Sequence, residues 1–494
     1  MPDLDQDLLS IQEARNLATR AFEAWKTWAK ASQQDVDRVC AAMAAAAFNA
    51  ADRLGQMAHE ETGYGIPAHK RLKNEFAARN VWESIKDIKT AGVIHHDPEK
   101  RIYQIAWPMG VIAGLTPSTN PTSTVIYKIL IAVKARNAIV IAPHPSAARC
   151  SYEAAALMVK AAEENGAPPG LIACMQYVSL AGTQELMGHK YTALILATGG
   201  TPMVRAAHST GKPAYGVGPG NVPAYVDRSA DLEKAARYIT ASKAFDCSTI
   251  CATEQAVVAD RPIARSLQRL MEQEGAYFVD EAQTDLLRRL LFNSEGVMVP
   301  ATVGKPAPYL AALAGFNVPA GTRVLVTRLN RVGKEEALSR EKLTTVLGWY
   351  EADGWEAGCE RCIELIQFGG RGHSLVIHAT DEKVIMAFGL EKPVFRIAVN
   401  TMSTLGAIGL TTGVFPSLTL GAGGVGGSIT GDNVTTYHLF NVKRLAYEIT
   451  SPPPAALSAG PAPQETSTRL VEQVVRDVVQ EIRKKYLNFD RERM

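Results

Sequence analysis

From residue 110 onward the chain alternates short, wholly apolar runs with longer helical patterns, and this alternation leaves few folds open. Gly110 to Thr116 (GVIAGLT) reads as a buried strand, and Asn120 to Lys134 behind it as a helix. Ala138 to Ala142 (AIVIA) is a second strand, followed by an Ala-rich helix from about Ala147 to Asn165. Leu194 to Ala197 closes another such unit before a Gly-Gly turn and a helix through Val204 to His208. Strands joined through helices cross over and lie parallel, which makes this an α/β chain. A second alternation occupies roughly 230–400, while residues 8–60 read helical throughout. A length of 494 residues suggests two or three domains.

The balance of charge narrows the partners. Lys and Arg number 52 and Asp and Glu 50, a net charge of +2. That gives no electrostatic case for nucleic acid or a membrane surface as the main partner. Seven cysteines, odd in number and sparse, exclude a disulfide scaffold and fit a reducing cytoplasm. The opening MPDLDQDLL carries acids where a secretion signal needs bases, so export is not expected. No apolar run reaches the ~18–20 residues that a bilayer span requires.

Composition shifts sharply near the end. Ser451 to Thr468 holds five Pro and four Ala in eighteen residues and reads as a linker, 451–467. Beyond it, 468–494 returns to helical periodicity, with Leu470, Val474, Val478 and Ile482 every fourth residue. A tethered helix with such a stripe has to dock elsewhere.

The chemistry concentrates around Phe245-Asp-Cys-Ser-Thr-Ile-Cys-Ala-Thr-Glu-Gln-Ala-Val-Val258. Cys251 stands just ahead of a strand-like run, where a nucleophile can be presented, although a buried structural thiol fits the same residues. Upstream, Asn120 lies in a turn between strand and helix. Its amide could donate to an oxyanion formed when Cys251 attacks a carbonyl, or Asn-Pro could simply make the turn. Thr198-Gly199-Gly200-Thr201 ends a strand and opens a helix, leaving backbone N–H groups for a phosphate. Cys359 and Cys362 form a CxxC without a second pair or a histidine at zinc spacing. No metal is expected, and the two belong on one helix.

Taken in order, TPSTNPTST (116–124), APHPSA (142–147), LATGGTPMVRAAHSTGKPA (196–214), GVGPGNVP (216–223), ICATEQ (250–255), EKLTTVL (341–347), GGRGH (369–373) and PSLTLGAGGVGG (416–427) resemble the aldehyde dehydrogenase superfamily, specifically its CoA-acylating branch. That branch includes microcompartment aldehyde dehydrogenases and the N-terminal half of bifunctional aldehyde-alcohol dehydrogenases. The resemblance covers about 8–448. It implies a Rossmann-like cofactor domain over 1–228 with an oligomerisation hairpin at 90–107, and an α/β catalytic domain over 229–410. Residues 411–450 would return to the cofactor domain and add a strand to the flap, making the enzyme a dimer or tetramer.

The resemblance also implies roles. Cys251 would attack the aldehyde and Asn120 would hold the oxyanion. His373 would handle a proton or shape the site, although capping a turn accounts for it equally. Thr116, Pro117, Pro143, His144, Thr198, Gly199, Gly200, Gly218 and Gly220 would surround NAD, with Glu341 on the nicotinamide ribose. NAD rather than NADP is the default, because no basic residue stands out as a 2′-phosphate partner. Hydrolytic relatives carry a Glu-Leu-Gly-Gly glutamate about thirty residues before the cysteine to activate water. Here no acid occurs between His208 and Val226, which supports thiolysis by coenzyme A unless another acid, such as Glu254, folds into the site. Relatives also show Asn-Gly where this chain has Cys247-Ser248, a departure that puts a second thiol near the first. The tail resembles encapsulation peptides that dock to microcompartment shell proteins, with a subunit latch as the alternative. The expected reaction takes propanal, CoA and NAD to the acyl-CoA inside a bacterial microcompartment. Acetaldehyde and sulfoacetaldehyde remain as other substrates, and a hydrolytic dehydrogenase or an idle shell scaffold as other functions.

Overall fold

In the computed structural model of the chain, residues 5–457 and 465–487 are described. The first four residues of the export reading, the middle of the linker (458–464) and the end of the terminal helix reading (488–494) lie outside the described residues. The chain divides into two compact units, Met1–Ile94 with Gln104–Lys443, and His95–Tyr103 with Arg444–Met494.

The N-terminal helical stretch is three helices, Gln6–Trp28, Gln33–Asn49 and Ala51–Thr62. Ser32 restarts the chain as an N-cap, its hydroxyl accepting from the Asp35 N–H, and Gly63 ends the third helix in a left-handed turn. Two strands come next, β1 (Val93–Asp97) and β2 (Ile102–Pro108). Five parallel strands follow: β3 (Val111–Thr116), β4 (Ala138–Pro143), β5 (Ile172–Cys174), β6 (Thr192–Thr198) and β7 (Ala214–Val217). Their spatial order is β5-β4-β3-β6-β7.

A second parallel sheet is built from β8 (Val222–Val226), β9 (Glu254–Asp260), β10 (Ala276–Phe278), β11 (Val324–Arg328), β12 (Val346–Ala352), β13 (Leu375–His378) and β14 (Ile397–Val399), in the order β10-β11-β12-β9-β8-β13-β14. A last strand, β15 (Phe440–Ala446), completes a three-stranded sheet, β1-β2-β15.

One expected boundary moves. Residue 228 falls after β8, yet β8 pairs with β9 and β13 in the second sheet. Only residues 218–221 separate β8 from β7. A parallel neighbour in the same sheet needs a crossover of a dozen residues or more, so a link this short must start a new sheet. The passage between the two α/β halves therefore lies at 218–221.

The helix Pro121–Lys134 is buried along its whole length beneath the first sheet. Gly114 in β3 keeps that sheet tight, because a Cβ there would lie 2.9 Å from Ile141 Cδ1. Late residues return to this half: Tyr127 Oη donates to the Val434 carbonyl at 2.6 Å and Asn137 Nδ2 to the Leu439 carbonyl at 2.7 Å. In the second unit, Tyr447 N–H donates to the Arg101 carbonyl (3.1 Å) and Arg101 Nη1 to the Glu448 carbonyl (2.9 Å). Its long helix, Glu465–Leu487, leaves Leu470 70%, Val474 54% and Val478 48% exposed, so the stripe lacks a covering surface among the described residues. Among the described residues no helix is long and apolar enough to cross a membrane.

Candidate active site

A cavity of about 410 Å³ opens at the carboxyl edge of the five-stranded sheet, where ligands of open parallel sheets bind. Register sets its wall. Thr116 of β3 lies beside Pro143 of β4, and Thr198 of β6 beside Val217 of β7, so these strands end level. The residues just past their ends, Pro117, His144, Gly199 and Gly218, line the cavity with Thr116, Pro143, Thr198 and Gly200. Gly200 precedes the helix Thr201–His208, whose start no side chain caps; Pro202 has no N–H and Met203 N–H donates to the Gly200 carbonyl (3.0 Å), which leaves the Thr201 N–H as the first-turn donor for a ligand. Thr116 Oγ1 is buried without a partner. An uncapped helix start behind Gly-Gly and an orphaned hydroxyl in the cavity wall fit a dinucleotide.

Cys251 reaches the cavity from the opposite side, three residues before β9. His373 Nε2 lies 3.2 Å from its Sγ, and the other ring nitrogen, Nδ1, is 3.1 Å from Ser374 Oγ. Burial pushes the Cys251 thiol up to about 12; Glu341 adds to the rise and Arg396 opposes it. Burial, reinforced by Arg396, lowers His373 to about 3. The resting pair is thus a neutral thiol in hydrogen-bond contact with a neutral imidazole. Glu341 lines the cavity and accepts from the Gly220 N–H at 2.9 Å. Burial raises it to about 7 against that hydrogen bond and the charges of Lys243 and Lys342. Gly220 itself does not line the cavity. A Cβ there would sit 2.2 Å from the Cys251 carbonyl oxygen, so glycine lets the two backbones pass.

The segment ahead of Cys251 is held in an unusual way. Asp246, Cys247 and Ser248 all take left-handed backbone, φ 46°, 51° and 65°, with no glycine among them. Asp246, fully buried, accepts from Ile66 N–H (2.7 Å), Lys70 Nζ (3.2 Å), Thr249 Oγ1 (2.6 Å) and Lys73 Nζ. Burial alone would raise its carboxyl, but the charges and hydrogen bonds of Lys73 and Lys70 hold it at about 2. Lys73, buried, is lowered to about 8 by desolvation, against the pull of Asp246. Asn120 meets this cluster: its Oδ1 accepts from Lys73 Nζ, and its Nδ2 donates to the Thr249 carbonyl at 2.9 Å.

The chain matches the profile of the Aldehyde dehydrogenase family over residues 5–283. The chain belongs to the aldehyde dehydrogenase family. Its fold is similar to that of an acetylating aldehyde dehydrogenase from Geobacillus thermoglucosidasius, at 50% identity and a TM-score of 0.90 over 91% of this chain and 99% of the other. It is also similar to a propionaldehyde dehydrogenase from the Clostridium phytofermentans fucose utilisation bacterial microcompartment (28% identity, TM-score 0.81, 87% of this chain and 96% of the other). In sequence it is 42% identical to an aldehyde-alcohol dehydrogenase of Streptococcus pneumoniae serotype 4, over 81% of this chain and 46% of that one. The chain spans about half the length of the aldehyde-alcohol dehydrogenases it matches.

Within this family architecture the acid Glu254 stays away from the cavity. It is fully buried at the start of β9, accepting from Ser242 Oγ and from the Ser403 N–H (2.8 Å). Cys247 is a buried free thiol. Cys359 and Cys362 share the helix Gly354–Phe368, where Cys359 Sγ contacts Lys392 Nζ. Sequence reasoning missed Lys70 and Lys73 entirely. They sit in HKRLKNE, a helix that reads as charged and solvated, and nothing local marks two of its lysines as buried. It quoted Asp246 but gave it no role.

Proposed function

We propose that this chain is a CoA-acylating aldehyde dehydrogenase, taking a short uncharged aldehyde, NAD and coenzyme A to the acyl-CoA. The observation that carries it is Cys251 in the wall of the 410 Å³ cavity with His373 and Asn120, where among the described residues the one lining carboxylate, Glu341, is engaged with the Gly220 N–H. Cys251 adds to the aldehyde carbon as its proton passes to His373 Nε2, 3.2 Å away. The Asn120 amide, which lines the same cavity, and the Cys251 backbone N–H would hold the alkoxide. Thr116, Thr198, Gly199 and Gly200 would hold NAD, which when bound would supply the hydride acceptor for that carbon. The acyl group is then a thioester on Cys251; the CoA thiolate attacks it, and Cys251 departs as thiolate.

Propanal is the favoured substrate. The walls near Cys251 include Ile250, Ile408, Leu418 and Leu420, and among the described residues no lysine or arginine lines the cavity. That leaves the sulfonate of sulfoacetaldehyde and the 2′-phosphate of NADP without a cationic partner, which favours a neutral aldehyde and NAD. A homo-oligomer, dimer or tetramer, is proposed from the β1-β2-β15 sheet. Residence in a bacterial microcompartment, through docking of the terminal helix on a shell protein, is proposed from its exposed apolar stripe.

Glu341 supports one rival, a hydrolytic enzyme, because it is a carboxylate in the cavity and could turn to a water. Steady-state NADH formation with C2 to C4 aldehydes, with and without CoA, separates the two. The proposal expects turnover only with CoA and acyl-CoA as product. Equal rates without CoA, with the free acid formed, would overturn it.

A further inference from the structure

Asn120 occupies the N-cap of the helix Pro121–Lys134, yet its side chain does not cap it. An N-cap asparagine ordinarily turns its Oδ1 onto the backbone N–H groups of its own helix. Here Oδ1 instead accepts from Lys73 Nζ, and the amide nitrogen donates to the Thr249 carbonyl, two residues before Cys251, and to the rotatable Thr119 hydroxyl at 3.2 Å, a donor an oxyanion would draw away. An asparagine amide can be placed either way round, and what decides is the chemistry of its neighbours.

We propose that Lys73 is a positioning residue, holding the Asn120 amide with its oxygen turned away from Cys251 and its NH2 toward it. The inference rests on the reading of Asn120 as the oxyanion donor. An ammonium carries three donors and no acceptor, so only the amide oxygen can face it. The three acceptors around Lys73 Nζ are Asp246 Oδ2, Asn120 Oδ1 and Thr249 Oγ1 (3.3 Å), which use all its protons. Reversing the amide would press NH2 against NH3⁺ and set its oxygen against the Thr249 carbonyl, two repulsive contacts in a buried site. The same contact polarises the amide and strengthens its N–H groups as donors.

Asp246 holds Lys73 in turn. It is 0% exposed, and it sits where a Cβ on Gly65 would meet its Oδ1 at 2.0 Å. Gly65, at φ 71°, thus opens the space for the carboxylate. The three left-handed residues 246–248 therefore join the amide's anchor to the nucleophile's own segment, so the donor and Cys251 keep a common register.

The test is a double-mutant cycle between Lys73→Gln and Asn120→Ala. It is read by the single-turnover burst of NADH from propanal and NAD without CoA, a step shared by acylating and hydrolytic enzymes. In Lys73→Gln the new side chain offers an oxygen that can accept from the amide, releasing its orientation. Each single variant slows the burst about 100-fold, the cost of losing one oxyanion donor, and the double variant is no slower than Asn120→Ala. Alkylation of Cys251 by iodoacetamide, which forms no oxyanion, keeps its wild-type rate in Lys73→Gln; the other six cysteines are buried. Additive losses, a wild-type burst in folded Lys73→Gln, or an equal loss of alkylation would each overturn the proposal. If Lys73→Gln does not fold, Lys73→Arg replaces it. An unchanged burst there, or a loss that vanishes in the Asn120→Ala background, supports the proposal, and a loss that persists overturns it. Because CoA is absent, failure of CoA dependence would sink the proposed function and leave this result readable.

Discussion

At the scale of single residues, the site is governed by what burial does to charge. His373 is held neutral down to about pH 3 by desolvation and by the cation of Arg396. His373 is accordingly expected to add no limb near 6.5 to the pH profile of kcat/KM, a limb near 7 belonging to Glu341, and His373→Ala to slow turnover about 100-fold without changing the profile's shape. Asp246 behaves oppositely. Its folded carboxyl titrates at about 2 against an ordinary 3.8, so the stability it contributes is full above about pH 4 and is lost as pH falls through 2. Asp246→Asn strands the charges of Lys73 and Lys70 in the interior and is expected to cost about 3–5 kcal/mol at pH 7. Urea unfolding of both proteins at pH 7 and pH 3 checks this: the gap between them should begin to narrow at the lower pH.

At the scale of elements, the site is the meeting of strand ends with one strained loop. The carboxyl edge of β3, β4 and β6 was legible, because GVIAGLT is apolar up to Thr116, AIVIA is apolar throughout and Gly-Gly marks the turn after β6. The helix start at Asn120 was also legible, since Pro121 at the first helical position allows little else. The left-handed run at 246–248 was not, because Asp-Cys-Ser shows none of the glycine that such backbone usually selects. Nor was the reason for Gly220, expected at the cofactor and found against the Cys251 carbonyl. Gly220→Ala should push the Cys251 segment out of place and lower kcat about 100-fold while NAD still binds. Steady-state kinetics beside a cofactor titration tests it.

At the scale of the whole molecule, two sheets divide the labour. One presents the edge proposed for the dinucleotide, and the other, through β9, brings Cys251 to the same cavity. The second unit carries a helix whose valines face solvent. Removal of residues 451–494 is expected to leave kcat and KM unchanged. The same segment fused to a fluorescent reporter is expected to concentrate in puncta beside a cognate shell. Diffuse fluorescence, or a truncated enzyme that loses activity, would point to a subunit latch instead.

The sequence by itself determined the strand and helix alternation and the family, and it nominated Cys251 and Asn120, because hydrophobic period and ordered motifs are local properties. The place where one sheet gives way to the next needed strand pairing, since β8 reads the same in either sheet. The cluster of Lys70, Lys73, Asp246 and Asn120 likewise depended on tertiary structure. It joins residues up to 176 apart in the chain, and a lysine's burial is decided by what folds over it.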